Sequence, residues 1–232
     1  MIELNDVHVS YGKSKVVNGV DFSMETTDKV ALLGRNGVGK TTLMKGMIGI
    51  LPFESGTMKF EGEVMNKKSA FQRSSAGIAY VPQGREIIPD FTVRENLELG
   101  GISLKSNQVK DRIEEVLEYF PALKVHFIRK GGVLSGGLQQ QLALSRALMS
   151  HPKVLLLDEP TEGIQPNVVS EIADILNRVH KDLNVGIILV EQNMNFAFKI
   201  CDSYVLMQKG AIVSRGAKSE LTDDIVKKYL AV

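Results

Sequence analysis

The N-terminal part of the chain alternates between apolar and polar positions. Apolar side chains recur with a period of about two at Ile2, Leu4, Val7, Val9 and Tyr11, and again, after a Gly-Lys turn, at Val20, Phe22 and Met24. In an extended chain this period places the apolar side chains on one face. The pattern therefore predicts antiparallel strands that turn near positions 12–13.

Later in the chain, uninterrupted apolar runs occur, each next to a segment with a helical pattern. The runs at 30–33, 154–157 and 185–190 are typical of strands buried on both faces. A helix is predicted from Lys40 onward and another from Pro166, whose missing N–H costs nothing at a first helical position. The second helix has apolar positions at Val169, Ile172, Leu176 and Val179. A hairpin turning at Lys209 and Gly210 completes the pattern. Strands alternating with helices predict an α/β fold with a mostly parallel sheet.

The middle of the chain, about 85–150, is predicted to be mainly helical. One helical face there carries Val109, Ile113, Val116, Leu117 and Phe120. We therefore expect one domain over 1–232, in which 1–84 and 151–232 form the core with its antiparallel β subdomain and 85–150 form a helical subdomain.

Composition limits the possible functions. With 28 basic and 27 acidic residues the net charge is +1, which gives no electrostatic footprint for binding duplex nucleic acid. The single cysteine, Cys201, cannot form an internal disulfide and suits a reducing compartment. Neither a membrane-spanning run nor a signal peptide is evident, so we expect a cytosolic protein that reaches a membrane only through partners.

A glycine-rich loop between a predicted strand and a predicted helix indicates phosphate binding. It fits the pattern G-x-x-x-x-G-K-[ST] and comprises Gly34, Arg35, Asn36, Gly37, Val38, Gly39, Lys40 and Thr41, followed by Thr42. Glycines let consecutive N–H groups converge on phosphate oxygens, and the helix dipole adds positive potential. Lys40 would contact the β- and γ-phosphates and the Thr41 hydroxyl would bind Mg²⁺. A nucleoside triphosphate is the predicted ligand.

Two adjacent carboxylates, Asp158 and Glu159, end the apolar run at 154–157. Taken alone, they fit equally well a core strand that merely reaches the surface. Beside a phosphate loop, however, parallel strands bring their carboxyl ends to one edge of the sheet. Asp158 would then reach the metal, and Glu159 would act as general base toward the attacking water. The pair predicts an ATPase.

A second glycine-containing motif narrows the class of ATPase. Leu134, Ser135, Gly136, Gly137, Leu138 and Gln139 begin an apolar-periodic helix about a hundred residues after the phosphate loop. With these motifs in this order the chain resembles the ATP-binding-cassette (ABC) ATPases over essentially its whole length. The resemblance implies a P-loop NTPase fold with an α-helical signature subdomain.

The resemblance also implies roles for further residues. Tyr11 stands where the family stacks an aromatic ring on adenine, and Gln83 stands where a glutamine senses Mg²⁺ and the attacking water. The signature at 134–139 would cap the γ-phosphate held by the other subunit of a head-to-tail dimer. That subunit would be a second copy or a homologous ATPase. Two transmembrane permease subunits and an extracytoplasmic solute-binding protein complete the implied assembly, at the cytoplasmic face of the membrane. Expressed alone, the chain is expected to be soluble.

Several positions depart from the usual family pattern. Leu138 replaces Gln or Glu after the signature glycines, Gln165 replaces an aspartate, and Gln192 replaces the switch histidine. A glutamine can donate to the γ-phosphate but cannot become cationic. The triplet at 190–192 resembles the branch that serves branched-chain amino-acid importers. The segments "PTEGIQP" and "VPQGREIIPDFTVREN" most resemble the ATPase subunit of urea importers, with a branched-chain amino-acid importer as the alternative.

Two other classes of P-loop protein fit the sequence less well. Soluble ABC ATPases that act on nucleic acid or ribosomes usually carry tandem cassettes, coiled-coil insertions or basic faces, none of which is evident in this sequence. P-loop GTPases and kinases do not account for the motif at 134–139, and the guanine-reading Asn-Lys-x-Asp is missing. The sequence therefore favours a transporter ATPase with ATP and Mg²⁺ as ligands and no nucleic-acid partner.

Overall fold

The computed structural model describes residues 1–12 and 14–230. Within these ranges the strands are β1 (Ile2–Tyr11), β2 (Ser14–Met24), β3 (Lys29–Leu33), β4 (Ser55–Phe60), β5 (Glu63–Val64), β6 (Ile78–Val81), β7 (Val154–Asp158), β8 (Gly186–Val190), β9 (Ser203–Gln208) and β10 (Ala211–Ala217). The helices are α1 (Lys40–Ile48), α2 (Ala70–Ala76), α3 (Val93–Gly100), α4 (Ser106–Leu117), α5 (Pro121–Lys124), α6 (Gly136–Leu148), α7 (Pro166–Leu183), α8 (Met194–Ile200) and α9 (Asp223–Tyr229).

The strands form two sheets. The first is antiparallel, in the order β2-β1-β4-β5. The second has the order β10-β9-β3-β8-β7-β6 and is parallel throughout except for β10 at its edge. The predicted α/β architecture, a mostly parallel core sheet with an N-terminal antiparallel sheet, is confirmed.

Both predicted hairpins are present. Strands β1 and β2 are antiparallel, with Ile2 opposite Met24. The predicted turn between them includes Lys13, which lies outside the described residues. Strands β9 and β10 turn at Lys209 and Gly210, where φ is 47° and 82°. Positive φ at both central residues is what a two-residue hairpin turn of type I′ requires.

The core sheet is covered on both faces, which explains its uninterrupted apolar runs. In β7, Val154 and Leu156 pack with the cluster that includes β1, β2 and α1. Leu155 and Leu157 pack on the other face, with α6 and α7. Because side chains alternate along a strand, Asp158 continues the Val154 series and lies on the α1 side. The alternation thus brings a buried carboxylate to the phosphate loop.

The stretch predicted to be helical contains α3, α4, α5 and α6. One detail of that prediction was wrong. Helix α4 ends at Leu117, so Phe120 is not on its apolar face and instead immediately precedes α5. Pro121 begins the new helix, and Phe120 is nevertheless fully buried. The division of the chain into core and helical subdomain remains a prediction.

The loops that matter for the site meet at one edge of the core sheet. Strands β3, β6, β7 and β8 are parallel neighbours or near neighbours, so their carboxyl ends point the same way. The segments that follow them are 34–39, 82–86, 159–165 and 191–193. None of the helices in the described ranges combines the length and apolar character needed to cross a lipid bilayer.

Candidate nucleotide site

A cavity of about 450 Å³ lies at this edge of the sheet. Its lining comes from β2, from the loop before α1, from the beginning of α1 and from the loops after β6, β7 and β8. The lining residues are Val16, Asn36, Gly37, Gly39, Lys40, Thr41, Thr42, Gln83, Glu159, Glu162 and Gln192. The structure thus gathers residues from across the chain around one space.

The loop at 34–39 depends on glycine at both ends. Gly34 and Gly39 have φ of 152° and 108°, which L side chains rarely adopt. Added side chains would also collide with the backbone, since a Cβ would lie 2.6 Å from the Met207 carbonyl oxygen at Gly34 and 3.0 Å from the Val16 carbonyl oxygen at Gly39. Gly39 leads directly into α1, whose N-terminal N–H groups and dipole favour an anion.

Lys40 is buried at the beginning of α1. Its Nζ donates to the carbonyl oxygens of Gly34 at 2.7 Å and Arg35 at 3.0 Å. Burial lowers the pKa of Lys40, while the charges of Glu159 and Asp158 oppose that shift. An ammonium carries three donors, of which these carbonyls take two. The side chain is thus held within the loop that would surround a phosphate.

Asp158 is fully buried, and both of its carboxylate oxygens are hydrogen-bonded. The hydroxyl of Thr41 donates to Oδ1 at 3.1 Å, and the hydroxyl of Tyr80 donates to Oδ2 at 3.1 Å. Burial raises the pKa of Asp158, and the two hydrogen bonds oppose the shift because they stabilise the ionised form. The carboxylate therefore has a fixed orientation at the Thr41 end of the cavity.

Glu159 lies where the chain turns away from β7. Its φ is 47°, an uncommon value for a residue with a side chain, and its N–H donates to the Val190 carbonyl oxygen at 2.9 Å. The amide of Gln192 donates to Oε1 at 2.8 Å, and that of Gln83 approaches Oε2 at 3.4 Å. Two neutral amides thus hold the Glu159 carboxylate beside the cavity.

Gln83 has a second and shorter contact, with a carboxylate that the sequence analysis did not assign to the site. Its Nε2 donates to Glu162 Oε2 at 3.0 Å. Glu162 also lines the cavity, so the amide of Gln83 is shared between two carboxylates.

The predicted adenine-stacking residue, Tyr11, lies outside the cavity at the phosphate loop. Tyr11 is 48% exposed and lines a separate hollow of about 700 Å³ with neighbours that include Lys15 and Pro52. An exposed ring of this kind is available for stacking.

In the phosphate loop, Arg35 and Asn36 are exposed and Val38 is half-buried.

The residues of the predicted signature lie at the beginning of α6, about a hundred residues after the loop at 34–39 in the sequence. Ser135 precedes the helix and its hydroxyl accepts from the Leu138 N–H at 3.4 Å. Leu134 is buried, whereas Ser135 is exposed. Gly137 packs against Val168 of α7, where an added Cβ would lie 2.7 Å from a methyl group. Glycine here allows α6 and α7 to pack closely.

Comparison with known proteins agrees with this arrangement. A family model described as "ABC transporter" matches residues 17–162. The chain is 39% identical over 215 residues to BraG, the high-affinity branched-chain amino acid transport ATP-binding protein of Pseudomonas aeruginosa, an alignment covering 92% of this chain and 91% of BraG. The chain belongs to the ABC transporter family. It is therefore an ATP-binding, ATP-hydrolysing transporter subunit.

Two further ABC proteins support the assignment. A probable branched-chain amino acid transport ATP-binding protein of Archaeoglobus fulgidus is 34% identical over 223 residues, which cover 96% of this chain and 94% of that protein. The solved structure of CbiO1 from Clostridium perfringens, part of an ABC transporter complex, is 25% identical, with a TM-score of 0.83 and coverage of 98% of this chain and 93% of CbiO1. The predicted ABC ATPase fold is thus confirmed.

Besides Glu162, three more residues of this ABC ATPase contact the site or its loops and were not identified from the sequence. Tyr80 bonds to Asp158, as described above. Arg85 bonds to Gln139 of the predicted signature. The third, Glu191, is buried and accepts from the N–H groups of Gln192 and Asn193 and from the backbone and hydroxyl of Thr161. A charged residue ending the apolar run at 185–190 was the available signal for Glu191.

The residues present fit a Mg²⁺ ion at the Thr41 end of the cavity. Mg²⁺ prefers oxygen ligands and is usually bound through one or two carboxylates together with substrate phosphates. A hydroxyl and a carboxylate stand 3.1 Å apart there, at Thr41 and Asp158. Gln83, the third predicted ligand, lines the same cavity. Within the described residues no cluster of three or more His, Cys, Asp or Glu side chains could hold a metal by itself.

Replacing Asp158 with asparagine should weaken Mg·ATP binding and yet stabilise the nucleotide-free protein. Because burial raises its pKa, Asp158 stabilises the folded state when protonated, and this contribution is lost as the pH rises through the folded-state pKa. At neutral pH the neutral amide should therefore raise the melting temperature by about 2–4 °C. Melting curves with and without Mg·ATP test both effects. Equal Mg·ATP affinity in wild type and Asp158→Asn would contradict the metal-directed role.

Proposed function

We propose that this chain is the ATP-hydrolysing subunit of an importer for branched-chain amino acids. The observation that carries the proposal is the similarity to BraG, which extends over nearly the full length of both chains. The Archaeoglobus relative, also named for branched-chain amino acid transport, supports it. The urea specificity favoured by the sequence analysis has less support than this alternative.

In the proposed reaction the loop at 34–39 surrounds the phosphates of ATP. Its N–H groups and the N-terminus of α1 offset the negative charge, and Lys40 contacts the β- and γ-phosphates. Bound Mg²⁺, held by Thr41 and Asp158, would neutralise charge on the same phosphates. Tyr11 stacks on the adenine ring. Asp158 and Glu159 can lie side by side because the positive charge of Lys40 stands opposite them. The negative charges of both carboxylates in turn favour the charged form of Lys40.

Glu159 is the proposed general base. It takes a proton from water as the water oxygen attacks the γ-phosphorus and the bond from that phosphorus to the ADP oxygen breaks. The carboxylate is oriented for this step by Gln192 at 2.8 Å and by Gln83 at 3.4 Å. Neither amide changes its charge, so neither competes with Glu159 for the proton.

The complete site is proposed to require a second ATPase subunit. Ser135 is exposed and the two glycines after it are half-buried, and together they form a helix N-terminus suited to an anion. In a head-to-tail dimer with a copy or a homologue, this signature would contact the γ-phosphate held by the other subunit. Closing and reopening of the dimer would drive two permease subunits, at the cytoplasmic face of the membrane, and a solute-binding protein would deliver the solute.

Urea remains a second candidate solute because one sequence observation favours it. The segments "PTEGIQP" and "VPQGREIIPDFTVREN" resemble the urea-importer subunits more than the amino-acid members. Two residues in these segments, Glu162 and Arg85, contact each other at the edge of the cavity. These residues belong to the ATPase and not to the solute pathway, so only the assembled transporter can decide between the two solutes.

Reconstitution with the cognate permeases tests the proposal. We expect the ATPase rate in proteoliposomes to rise severalfold when the binding protein carries leucine, isoleucine or valine, and to stay near the basal rate with urea. The matched control is the same assembly with Lys40→Ala. Stimulation by urea alone would transfer the assignment to the second candidate. Stimulation by nucleic acid or ribosomes, with none by permeases, would reject the importer function.

A further inference from the structure

Arg85 connects helix α6 with the loop after β7 and does not line the nucleotide cavity. Its Nη1 donates to Gln139 Oε1 of helix α6 at 3.1 Å, and its Nη2 donates to the Glu162 carbonyl oxygen at 3.2 Å. Gln139 belongs to the predicted signature, and Glu162 belongs to the loop that follows Glu159. One guanidinium thus connects the segment that would act on a partner's ATP with the segment that lines its own ATP site.

The guanidinium also packs against the signature glycine. A Cβ at Gly136 would lie 3.2 Å from Nη2 and 3.3 Å from Nη1 of Arg85. The absence of a side chain at Gly136 therefore lets the planar group approach the beginning of α6. A lysine at position 85 could not make two fixed hydrogen bonds of this kind, because its ammonium is a point charge on a flexible stem.

The backbone around Arg85 is held in a strained conformation. Gly84, Arg85 and Glu86 have φ of 79°, 73° and 45°, so two residues with side chains follow glycine in the left-handed region. Such conformations persist where surrounding contacts determine them. Here Arg85 N donates to the Pro82 carbonyl oxygen at 3.1 Å, and Arg146 of α6 donates to the Glu86 carbonyl oxygen at 2.7 Å. The loop is thus closed on itself by the Pro82 contact and fixed to α6 at Glu86, the residue after Arg85.

The same loop contacts Glu162 twice. Gln83 binds its carboxylate at 3.0 Å, and Arg85 binds its backbone carbonyl oxygen at 3.2 Å. Since Gln83 also reaches Glu159, a displacement of α6 relative to the core would alter the orientation of groups around the proposed base. Arg85 contacts both α6, at Gln139, and the loop that follows Glu159, at Glu162.

We propose that Arg85 is a positioning residue for ATP hydrolysis, which holds the signature helix and the loop after Glu159 in one fixed relation within each chain. This inference rests on the proposed head-to-tail dimer, in which the signature completes the partner's site. Arg85 would act through Gln139 and Glu162 and would not contact ATP. Its loss should slow turnover and leave the first binding of nucleotide nearly unchanged.

Arg85→Ala should lower kcat by about 10- to 100-fold, the range expected for the loss of charge-assisted hydrogen bonds. The KM for ATP, and the Kd for Mg·ATP measured by calorimetry, should stay within about threefold of wild type. Arg85→Lys should give an intermediate kcat. The matched control is Arg94→Ala, since Arg94 lies on α3 in an exposed ion pair with Glu98 and should leave all three constants unchanged.

A double-mutant cycle with Gln139→Ala identifies the contact responsible. The double variant should be no slower than the slower of the two single variants, because both substitutions remove one connection. Losses of kcat that multiply in the double variant would overturn the proposal. So would a wild-type kcat in Arg85→Ala, or a large rise in Kd with kcat unchanged.

The cycle is measured on the isolated ATPase and is independent of the transported solute. Failure of permeases to stimulate the wild-type protein would therefore count against the importer function alone. If wild type and Arg85→Ala differ in kcat while neither forms a dimer with ATP, the head-to-tail arrangement fails, and the part of the proposal that concerns the partner's site fails with it.

Discussion

Replacing Glu159 with glutamine should lower kcat for ATP hydrolysis by about 10²- to 10⁴-fold, which is the usual contribution of a positioned general base. Glutamine keeps the size of the side chain and can still contact the amides of Gln192 and Gln83, which lie 2.8 Å and 3.4 Å from the carboxylate oxygens. It cannot accept the proton of the attacking water. Mg·ATP should therefore still bind, with a Kd close to that of wild type, and only the chemical step should be lost.

Glu162→Gln provides a matched control in the same cavity. Glu162 is also a carboxylate and also accepts from Gln83, at 3.0 Å, but it is not the proposed base. Its substitution should reduce kcat much less than Glu159→Gln does, and so should Gln192→Ala, since Gln192 only orients the base. Steady-state rates at saturating ATP make the comparison. A Glu162→Gln variant as slow as Glu159→Gln would show that the base has been misassigned.

Replacing Lys40 with alanine should remove both tight nucleotide binding and hydrolysis. The ammonium is the cation proposed for the β- and γ-phosphates, and loss of one such preorganised electrostatic contact typically costs about 10²- to 10³-fold in rate. Binding should weaken by about tenfold or more, since a charged hydrogen bond is lost. Equilibrium binding of Mg·ATP and the hydrolysis rate at high ATP concentration measure the two effects separately.

Folding of the Lys40 variant can be checked independently. Burial lowers the pKa of Lys40, so the folded state disfavours its charged form, and this cost to stability grows as the pH falls through the folded-state pKa. The nucleotide-free variant should therefore still unfold cooperatively near the wild-type temperature. Lys45→Ala changes a lysine of the same helix that does not line the cavity, so this variant should keep wild-type binding and activity. Normal turnover by a folded Lys40→Ala protein would reject the phosphate site.

The core sheet could be predicted because burial on both faces makes its strands uninterruptedly apolar. The segment between 55 and 81 was not resolved into elements, for physical reasons. Helix α2 buries only Arg73 among its residues, so it has no apolar period, and β6 is only four residues long. Phe120 was wrongly assigned to the apolar face of α4, because a buried apolar residue just after a helix can have the same spacing as one within it.

The phosphate loop and the paired carboxylates could be predicted because each pattern is local in the sequence. The contacts of Tyr80, Arg85 and Glu191 could not, because their partners lie far along the chain. Tyr80 is 78 residues from Asp158, Arg85 is 54 from Gln139, and Glu191 is 30 from Thr161. The parallel order of β6, β7 and β8 brings the first and third pairs together, and the position of α6 beside the loop after β6 brings Arg85 to Gln139. Spacing within one segment carries no information about such pairs.

Size-exclusion chromatography of Glu159→Gln with Mg·ATP tests most directly the claim that this chain hydrolyses ATP in a closed head-to-tail dimer. Because the variant should bind ATP without cleaving it, we expect it to elute as a dimer with Mg·ATP and as a monomer without nucleotide. The double variant Glu159→Gln/Lys40→Ala should elute as a monomer with and without Mg·ATP. The account would be contradicted if Glu159→Gln bound Mg·ATP but stayed monomeric both alone and when mixed with a homologous ATPase subunit.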